Sequence, residues 1–272
     1  MPDADHRHNM STDKHWEAWG SRDPYYGVIT DPKFRSAALT PEARDTFFRS
    51  GQAHAAHVLA TIRVHIDPGF SPQRVLDFGC GVGRVLVGLA DIAPDVLGID
   101  VSPSMLAEAR RNCDVHGIPH VKLALSDDEL SAVDGDFDLV HTFIVLQHLE
   151  IARGRHLFQQ LLRRIRPGGV GALHVTFGLA TLDKSFGQPE AAALAVKAQP
   201  SRRTGWMRQR NAPPAPTPPD KNADPEMQMN WYNMSELMYL LKAEGAEHFF
   251  AEFTDHGGAL GAFLFFRRSA RA

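Results

Sequence analysis

The stretch RVLDFGCGVGRVLVGLA, Arg74 to Ala90, constrains this chain more than any other. Val75, Leu76 and Phe78 are apolar and partly β-branched, which reads as a buried strand, and Gly79, Gly81 and Gly83 follow at alternate positions. Glycine has no Cβ, so the chain can turn sharply there and let a ligand approach the backbone before a helix begins. A strand, a glycine turn and a helix in that order form the entry to a nucleotide-type cofactor site.

The glycine spacing discriminates between cofactors. A dinucleotide fingerprint is G-x-G-x-x-G, whose third glycine allows close helix packing, and that position here is Arg84. Asp77 stands two residues before the first glycine. Downstream, DVLGIDVSPSML predicts a second strand ending in Asp100, then Ser102 as N-cap and Pro103 at the first helical position. The Asp100 carboxylate lies about 20 residues beyond the glycine turn, where the second strand of a βαβ unit presents an acid to two ribose hydroxyls. VKLALSDDEL puts Asp127 and Asp128 at the tip of a third strand, and FDLVHTFIVLQHL and RIRPGGVGALHVTF read as a fourth and a fifth.

Asp77 with G-x-G-x-G resembles motif I of the class I S-adenosylmethionine (SAM) dependent methyltransferases, and the order of segments from Arg74 to Gly178 is similar to that family's motif series. The resemblance implies a Rossmann-like α/β fold: a seven-stranded, mainly parallel sheet with helices on both faces. It implies SAM as cofactor, S-adenosylhomocysteine (SAH) as product, and no metal. Gly79, Gly81 and Gly83 would give backbone contact to the amino acid and ribose portions, with Cys80 filling the turn. Asp77 would organise the loop and approach the methionyl ammonium, and Asp100 and Val101 would meet the ribose. Asp127 would accept from the adenine amino group, with Asp128 near the base. Thr142 and Phe143 would lie near the methionine portion, and Gln147 and His148 beside the transferred methyl. Imidazole titrates near neutral pH, so His148 is a candidate base, with turn-capping or substrate orientation as its alternative role. SAM carries a sulfonium and no phosphate, and an acidic site suits such a ligand.

The remaining sequence bounds the rest. An apolar fraction of 43% is ordinary for a globular chain, and a net charge of −3 offers no general attraction to nucleic acid. The polar start MPDADHRHNM lacks the apolar core of a signal peptide, and no apolar run spans a bilayer, so the expected location is cytoplasmic. Cys80 and Cys113 form neither a disulfide framework nor a zinc motif. His54, His57 and His65 share a helix face without acidic or cysteine partners, and His141 and His174 read as interior residues.

Residues 1–14 are expected to be disordered and 15–70 to form a helical lid or cap, with the methyltransferase domain over 71–272 and an insertion at about 179–230. The lid segment HWEAWGSRDPYYGVITDPKFR carries Trp16, Trp19, Tyr25 and Tyr26, candidates for an acceptor-covering surface or simply for pinning the helices to the core. Helical sequence from Pro41 to Ile66 is interrupted near Ser50-Gly51. A helix over 150–165 and a final helix near Ser235–Ala243 lead to a strand pair around Gly257-Gly258, where His256 could reach the pocket. In the insertion, Arg202, Arg203, Arg208 and Arg210 around Trp206 read as a solvated loop.

The function these features point to is SAM-dependent methyl transfer to an oxygen or nitrogen of a small organic acceptor. The alternatives are a peptide or protein acceptor docked by the insertion, or a catalytically silent SAM-binding regulatory protein; a nicotinamide oxidoreductase is disfavoured by Arg84. Neither a membrane nor nucleic acid is expected as a partner, and a homodimer is left open.

Overall fold

The computed structural model describes residues 5–180 and 224–270. Five strands run parallel: β1 (Arg74–Phe78), β2 (Asp95–Asp100), β3 (Lys122–Leu125), β4 (Phe137–Thr142) and β5 (Ile165–Leu179). The hairpin of β6 (Ala246–His256) and β7 (Ala259–Arg268) turns at Gly257-Gly258 and adds β7 antiparallel to β5. The sheet order is β3-β2-β1-β4-β5-β7-β6, the Rossmann-like arrangement the motif order implies.

Strand side chains alternate between faces, and the core divides accordingly. Val75, Leu139, Ala172 and Phe265 pack with helices α1 (Asp5–Arg22), α2 (Pro24–Val28), α3 (Pro41–His65), α4 (Leu86–Ala90) and α5 (Pro103–Val115). Leu76, Val140, Leu173 and Phe266 pack on the other face with α6 (Ile151–Arg163) and α7 (Met234–Ala243). The helix starts follow local chemistry. Ser102 Oγ accepts from Met105 N at 3.1 Å with Pro103 next in the chain, and Thr40 Oγ1 accepts from Ala43 N at 3.2 Å ahead of α3. Both satisfy a backbone donor that a helix start leaves unpaired.

Three expectations differ from the structure. Helix α1 begins at Asp5, inside the segment expected to be disordered. Its anchor is tertiary: Thr12 is buried, and Asp13 Oδ1 accepts from Arg153 Nη1 at 2.6 Å, a partner invisible to local periodicity. Helix α3 runs unbroken through Ser50-Gly51. Gly51 is a packing residue there, since a Cβ on it would sit 1.8 Å from the Arg84 carbonyl oxygen. The N-terminal helices are also not a detachable cap, because Trp19, Tyr25, Phe34, Phe47 and Phe48 belong to the same cluster as Val75 and Val96 of the sheet. The stretch 181–223, with the arginines around Trp206 and the proline-rich run, lies outside the described residues.

The aromatics of the N-terminal segment therefore divide. Trp19 is 2% exposed in the core, whereas Trp16 is half-buried. Trp19→Ala should cost about 3–5 kcal/mol by the usual penalty for emptying an aromatic site, and Trp16→Ala well under half of that. Urea unfolding of both variants checks this, and equal losses would contradict the division.

Candidate active site

Strand order reverses between β1 and β4, and open α/β sheets bind ligands outside the strands' carboxyl ends at such a point. A cavity of about 670 Å³ opens there, within the size range of small-molecule and cofactor sites.

The loop after β1 forms one wall. Gly79 N and Cys80 N both donate to the Ile99 carbonyl, at 2.8 and 3.0 Å, and Gly81 N donates to Asp100 Oδ2 at 2.9 Å. Gly79 and Gly81 both have positive φ, +73° and +53°, and added Cβ atoms would strike Val145 and Val28 at 2.4 and 2.8 Å. Glycine is thus required by conformation and by space. Asp100 also accepts from Ser102 N at 2.9 Å, and burial pushes its pKa up to about 6 despite these bonds, because desolvation disfavours the charged form.

Of the residues expected at the cofactor, Gly79, Gly81, Asp100, Val101, Asp127, Asp128 and Phe143 line the cavity. Asp127 caps its own turn, accepting from Glu129 N and Ser131 N at 3.1 and 2.9 Å, which holds its pKa below the usual range. Asp77, Cys80, Gly83 and Thr142 lie behind the wall. Cys80 and Thr142 are buried, and Thr142 Oγ1 has no hydrogen-bond partner among the described residues. Asp77 Oδ1 sits 2.7 Å from His141 Nδ1, and His141 Nε2 is 2.9 Å from His54 Nε2. Asp77 therefore anchors a buried carboxylate–histidine–histidine chain beneath the loop. Burial and the neighbouring His141 push the His54 pKa down to about 2, which keeps that imidazole neutral. The hydrogen-bond partner of His54 comes from β4, which sequence spacing along α3 does not show. Among the described residues no group of three or more His, Cys, Asp or Glu is arranged to hold a metal.

The lining also includes Gln147, His148, Trp16 and His256. Trp19, Tyr25 and Tyr26 are not in its lining: Trp19 and Tyr25 are core, and the Tyr26 ring lies under the Arg35 guanidinium at 3.4 Å. His148 Nδ1 is 2.8 Å from the Gln228 carbonyl oxygen. A carbonyl only accepts, so Nδ1 carries the hydrogen and Nε2 the lone pair of the neutral ring. Burial lowers the His148 pKa, favouring that neutral form, and the Trp16 ring packs edge-on at 5.0 Å.

Several lining residues carry no sequence signal. Met227 and Met229 arrive on an irregular strap that Tyr232 ties to the sheet, its N donating to Thr176 O at 2.8 Å and its OH to Leu146 O at 2.7 Å. Ile144 has φ +58°, uncommon for a β-branched residue and a strain of order 1–3 kcal/mol. Arg153, 9% exposed, joins Asp128 of the β3 tip, at 2.7 Å from Nε, to Asp13 of α1. Glu17 ties α1 down a second time, accepting from Ser102 Oγ at 2.7 Å and Ser104 N at 3.1 Å. Helix α1 thereby roofs the cavity.

The comparisons with known proteins agree with this geometry. Residues 75–169 match the family model described as a methyltransferase domain. An uncharacterized methyltransferase of Synechocystis is 37% identical over 117 residues, 43% of this chain and 52% of that protein. Trans-aconitate 2-methyltransferase of Methylobacterium nodulans is 33% identical over 155 residues, 54% of this chain and 55% of that protein. The chain thus spans about half the length of the curated relatives it matches. Among solved structures, magnesium protoporphyrin IX methyltransferase of Synechocystis with bound SAH superposes with a TM-score of 0.60 at 17% identity, over 96% of this chain and 100% of that one. The N-methyltransferase NodS of Bradyrhizobium japonicum, also with SAH, gives 0.56 at 15% identity, over 95% and 98%. Fold and site define an open α/β sheet with a small-molecule cavity at its switch point. Residues 75–169 thus match a methyltransferase domain, on the fold that solved SAM-dependent methyltransferases share.

The His148 geometry makes a prediction of its own. Nitrogen-detected NMR of the imidazole should show the Nδ1–H tautomer, with a titration midpoint below the ordinary histidine value. A ring protonated on Nε2 at neutral pH would contradict the role of the Gln228 carbonyl.

Proposed function

We propose that this protein transfers a methyl group from SAM to an oxygen or nitrogen of a small organic acceptor. One observation carries the reading: a glycine loop stitched to the Asp100 end of β2 shares a single cavity with His148, whose Nδ1 is engaged by the Gln228 carbonyl and whose Nε2 faces only the long 3.5 Å approach of Gln147 Nε2 among the described residues. The residues present fit the cofactor. Gly79 and Gly81 clear space along the loop, Asp100 presents a carboxylate at the β2 edge, and the Ser126–Asp128 turn closes the end beyond it. When bound, SAM supplies a methyl group made electrophilic by its sulfonium.

The chain's own contribution is binding, exclusion of water and proton handling. Asp100, ionised, accepts the ribose hydroxyls. Helix α1, held by Glu17 and by the Asp13–Arg153–Asp128 bridge, keeps water out and orders the acceptor side. Trp16, Met227 and Met229 give the wall an apolar surface, and Gln147 Oε1, buried without a partner among the described residues, is an acceptor for an O–H or N–H. His148 takes the acceptor's proton on Nε2. Its imidazolium is stabilised through the Nδ1–H bond to Gln228, and positioning accounts for much of the remaining rate. The cavity's size and relatives named trans-aconitate 2-methyltransferase and ubiquinone biosynthesis O-methyltransferase support a small acceptor, while relatives named ribosomal protein L11 methyltransferase support a protein acceptor as the second reading.

Incubating the protein with a metabolite extract and methyl-labelled SAM, followed by mass spectrometry, tests the assignment. Labelled small molecules are expected; labelled protein would move the acceptor to a polypeptide, and no label would point to a regulatory binder.

Two variants probe the site. Asp100→Ala should weaken SAH binding by about 1.5–3 kcal/mol, the range for hydrogen bonds to a charged group. Because the Asp100 pKa is raised to about 6 and the carboxylate is the binding form, wild-type SAH affinity should hold above pH 6 and fall as pH drops through it, by up to about tenfold per unit. Asp100→Ala should lose that dependence, and calorimetry across pH reads both effects. His148→Ala should lower turnover by about 10²–10⁴ while leaving SAH affinity within about twofold. A normal rate with the true acceptor would remove His148 from the chemistry.

A further inference from the structure

The ribose, adenine and acceptor roles account for most of the cavity wall and leave one charged side chain over. Arg84 lines the cavity immediately after the glycine loop. Among the described residues its guanidinium makes one hydrogen bond, from Nη1 to Ser50 Oγ at 3.3 Å, while Nε is buried with no partner. No carboxylate of those residues lies within ion-pair distance of it. Asp77 acts on it through space but is engaged by His141. A guanidinium held this way carries a desolvation cost that Asp77 offsets only through space and that no ion pair among the described residues offsets at contact.

The placement is built rather than incidental. Gly51 lets α3 pass so close to the Arg84 backbone that any side chain would collide with the carbonyl carbon and oxygen at 2.6 and 1.8 Å. That approach brings the preceding residue, Ser50, beside the guanidinium and into the cavity wall. Ser50-Gly51, which resembles a helix break in the sequence, is thus the element that seats Arg84. A planar guanidinium matches a carboxylate bidentately, and Ser50 Oγ, which donates to the Phe47 carbonyl at 2.6 Å, accepts from Nη1 and so orients the fork.

We infer that Arg84, oriented by Ser50, forms a carboxylate-binding subsite of the cavity, an assignment that rests on the SAM reading of the same site. Two ligands can supply the carboxylate: the amino acid end of the cofactor, since Arg84 adjoins the glycine loop, or a carboxylate on the acceptor. The subsite neutralises a buried charge and fixes which way round the ligand lies.

Calorimetry on the full chain separates the sources without relying on turnover. The probes are SAH, SAH lacking its α-carboxylate, and trans-aconitate added to SAH-saturated protein. If the cofactor supplies the group, wild type binds SAH about ten- to a hundredfold more tightly than the decarboxylated analogue, as expected for one charge-assisted contact. Arg84→Gln then collapses that ratio to near one, and Ser50→Ala lowers it in part. If the acceptor supplies it, Arg84→Gln leaves SAH affinity within about twofold and abolishes trans-aconitate binding seen with wild type.

SAH binding indifferent to Arg84 and to the α-carboxylate, with no Arg84-dependent binding of trans-aconitate, overturns the subsite while leaving the cofactor assignment intact. No binding of SAH to wild type would overturn both. Circular dichroism and thermal unfolding establish that Arg84→Gln is folded. Should it not be, equal wild-type affinity for SAH and its decarboxylated form, together with no trans-aconitate binding, is itself the overturning result.

Discussion

The loop after β1 is held in place by the end of β2, and most of the site depends on that attachment. Three consecutive backbone N–H groups, of Gly79, Cys80 and Gly81, donate to the Ile99 carbonyl and the Asp100 carboxylate. In a turn with positive φ these donors have no helix or sheet partner, so without the β2 acceptors they would be buried unpaired. The same bonds fix Asp100 at the cavity wall and set where Arg84 leaves the loop. A residue that reads as a ligand contact is therefore also a structural clamp, because a carboxylate can accept from the loop, from Ser102 N and from a ligand at once.

Around this clamp the cavity is closed by segments far apart in the chain. Helix α1 reaches β3, α5 and α6 through Glu17 and the Asp13–Arg153–Asp128 bridge, and the strap through Met227, Gln228 and Met229 adds to the cavity wall beside it. Arg35 joins the two closures, bonding Asp23 at 3.1 Å and Asp224 Oδ1 at 2.9 Å. The strap also selects the His148 tautomer, so the groups that would handle a proton are oriented by a backbone carbonyl 80 residues further on. Acceptor specificity in such an arrangement resides in the additions to the sheet, which differ among proteins that share it.

Much of the fold was legible because its signals are local. The β1 glycine turn, the Ser102-Pro103 helix start, the strand alternation and the Gly257-Gly258 hairpin each need only a few neighbouring residues. Gly79, Gly81, Asp100, Asp127, Phe143 and His148 line the cavity because each sits at a strand's carboxyl end or just beyond it, and topology brings those ends together. Asp77 was misplaced for the same reason: it occupies the expected strand position, yet its carboxylate turns inward to His141. Ser50-Gly51 was misread because glycine is permissive in two ways, as a helix breaker and as a point of contact, and sequence does not distinguish them.

By itself the sequence determined the class of sheet, the kind of cofactor loop and the row of acidic and aromatic residues along the strand ends, since these follow from side-chain periodicity and backbone permissiveness. Tertiary structure alone decided that α1 starts at Asp5, that Trp19 and Tyr25 are core while Trp16 is wall, and that Arg84 is left without a carboxylate among the described residues. The physical reason is that burial, ion pairing and tautomer depend on which surfaces meet across long separations. Asp13 with Arg153, His54 with His141, and His148 with Gln228 lie 140, 87 and 80 residues apart. No local pattern encodes such meetings; the packed sheet with its roof and strap does.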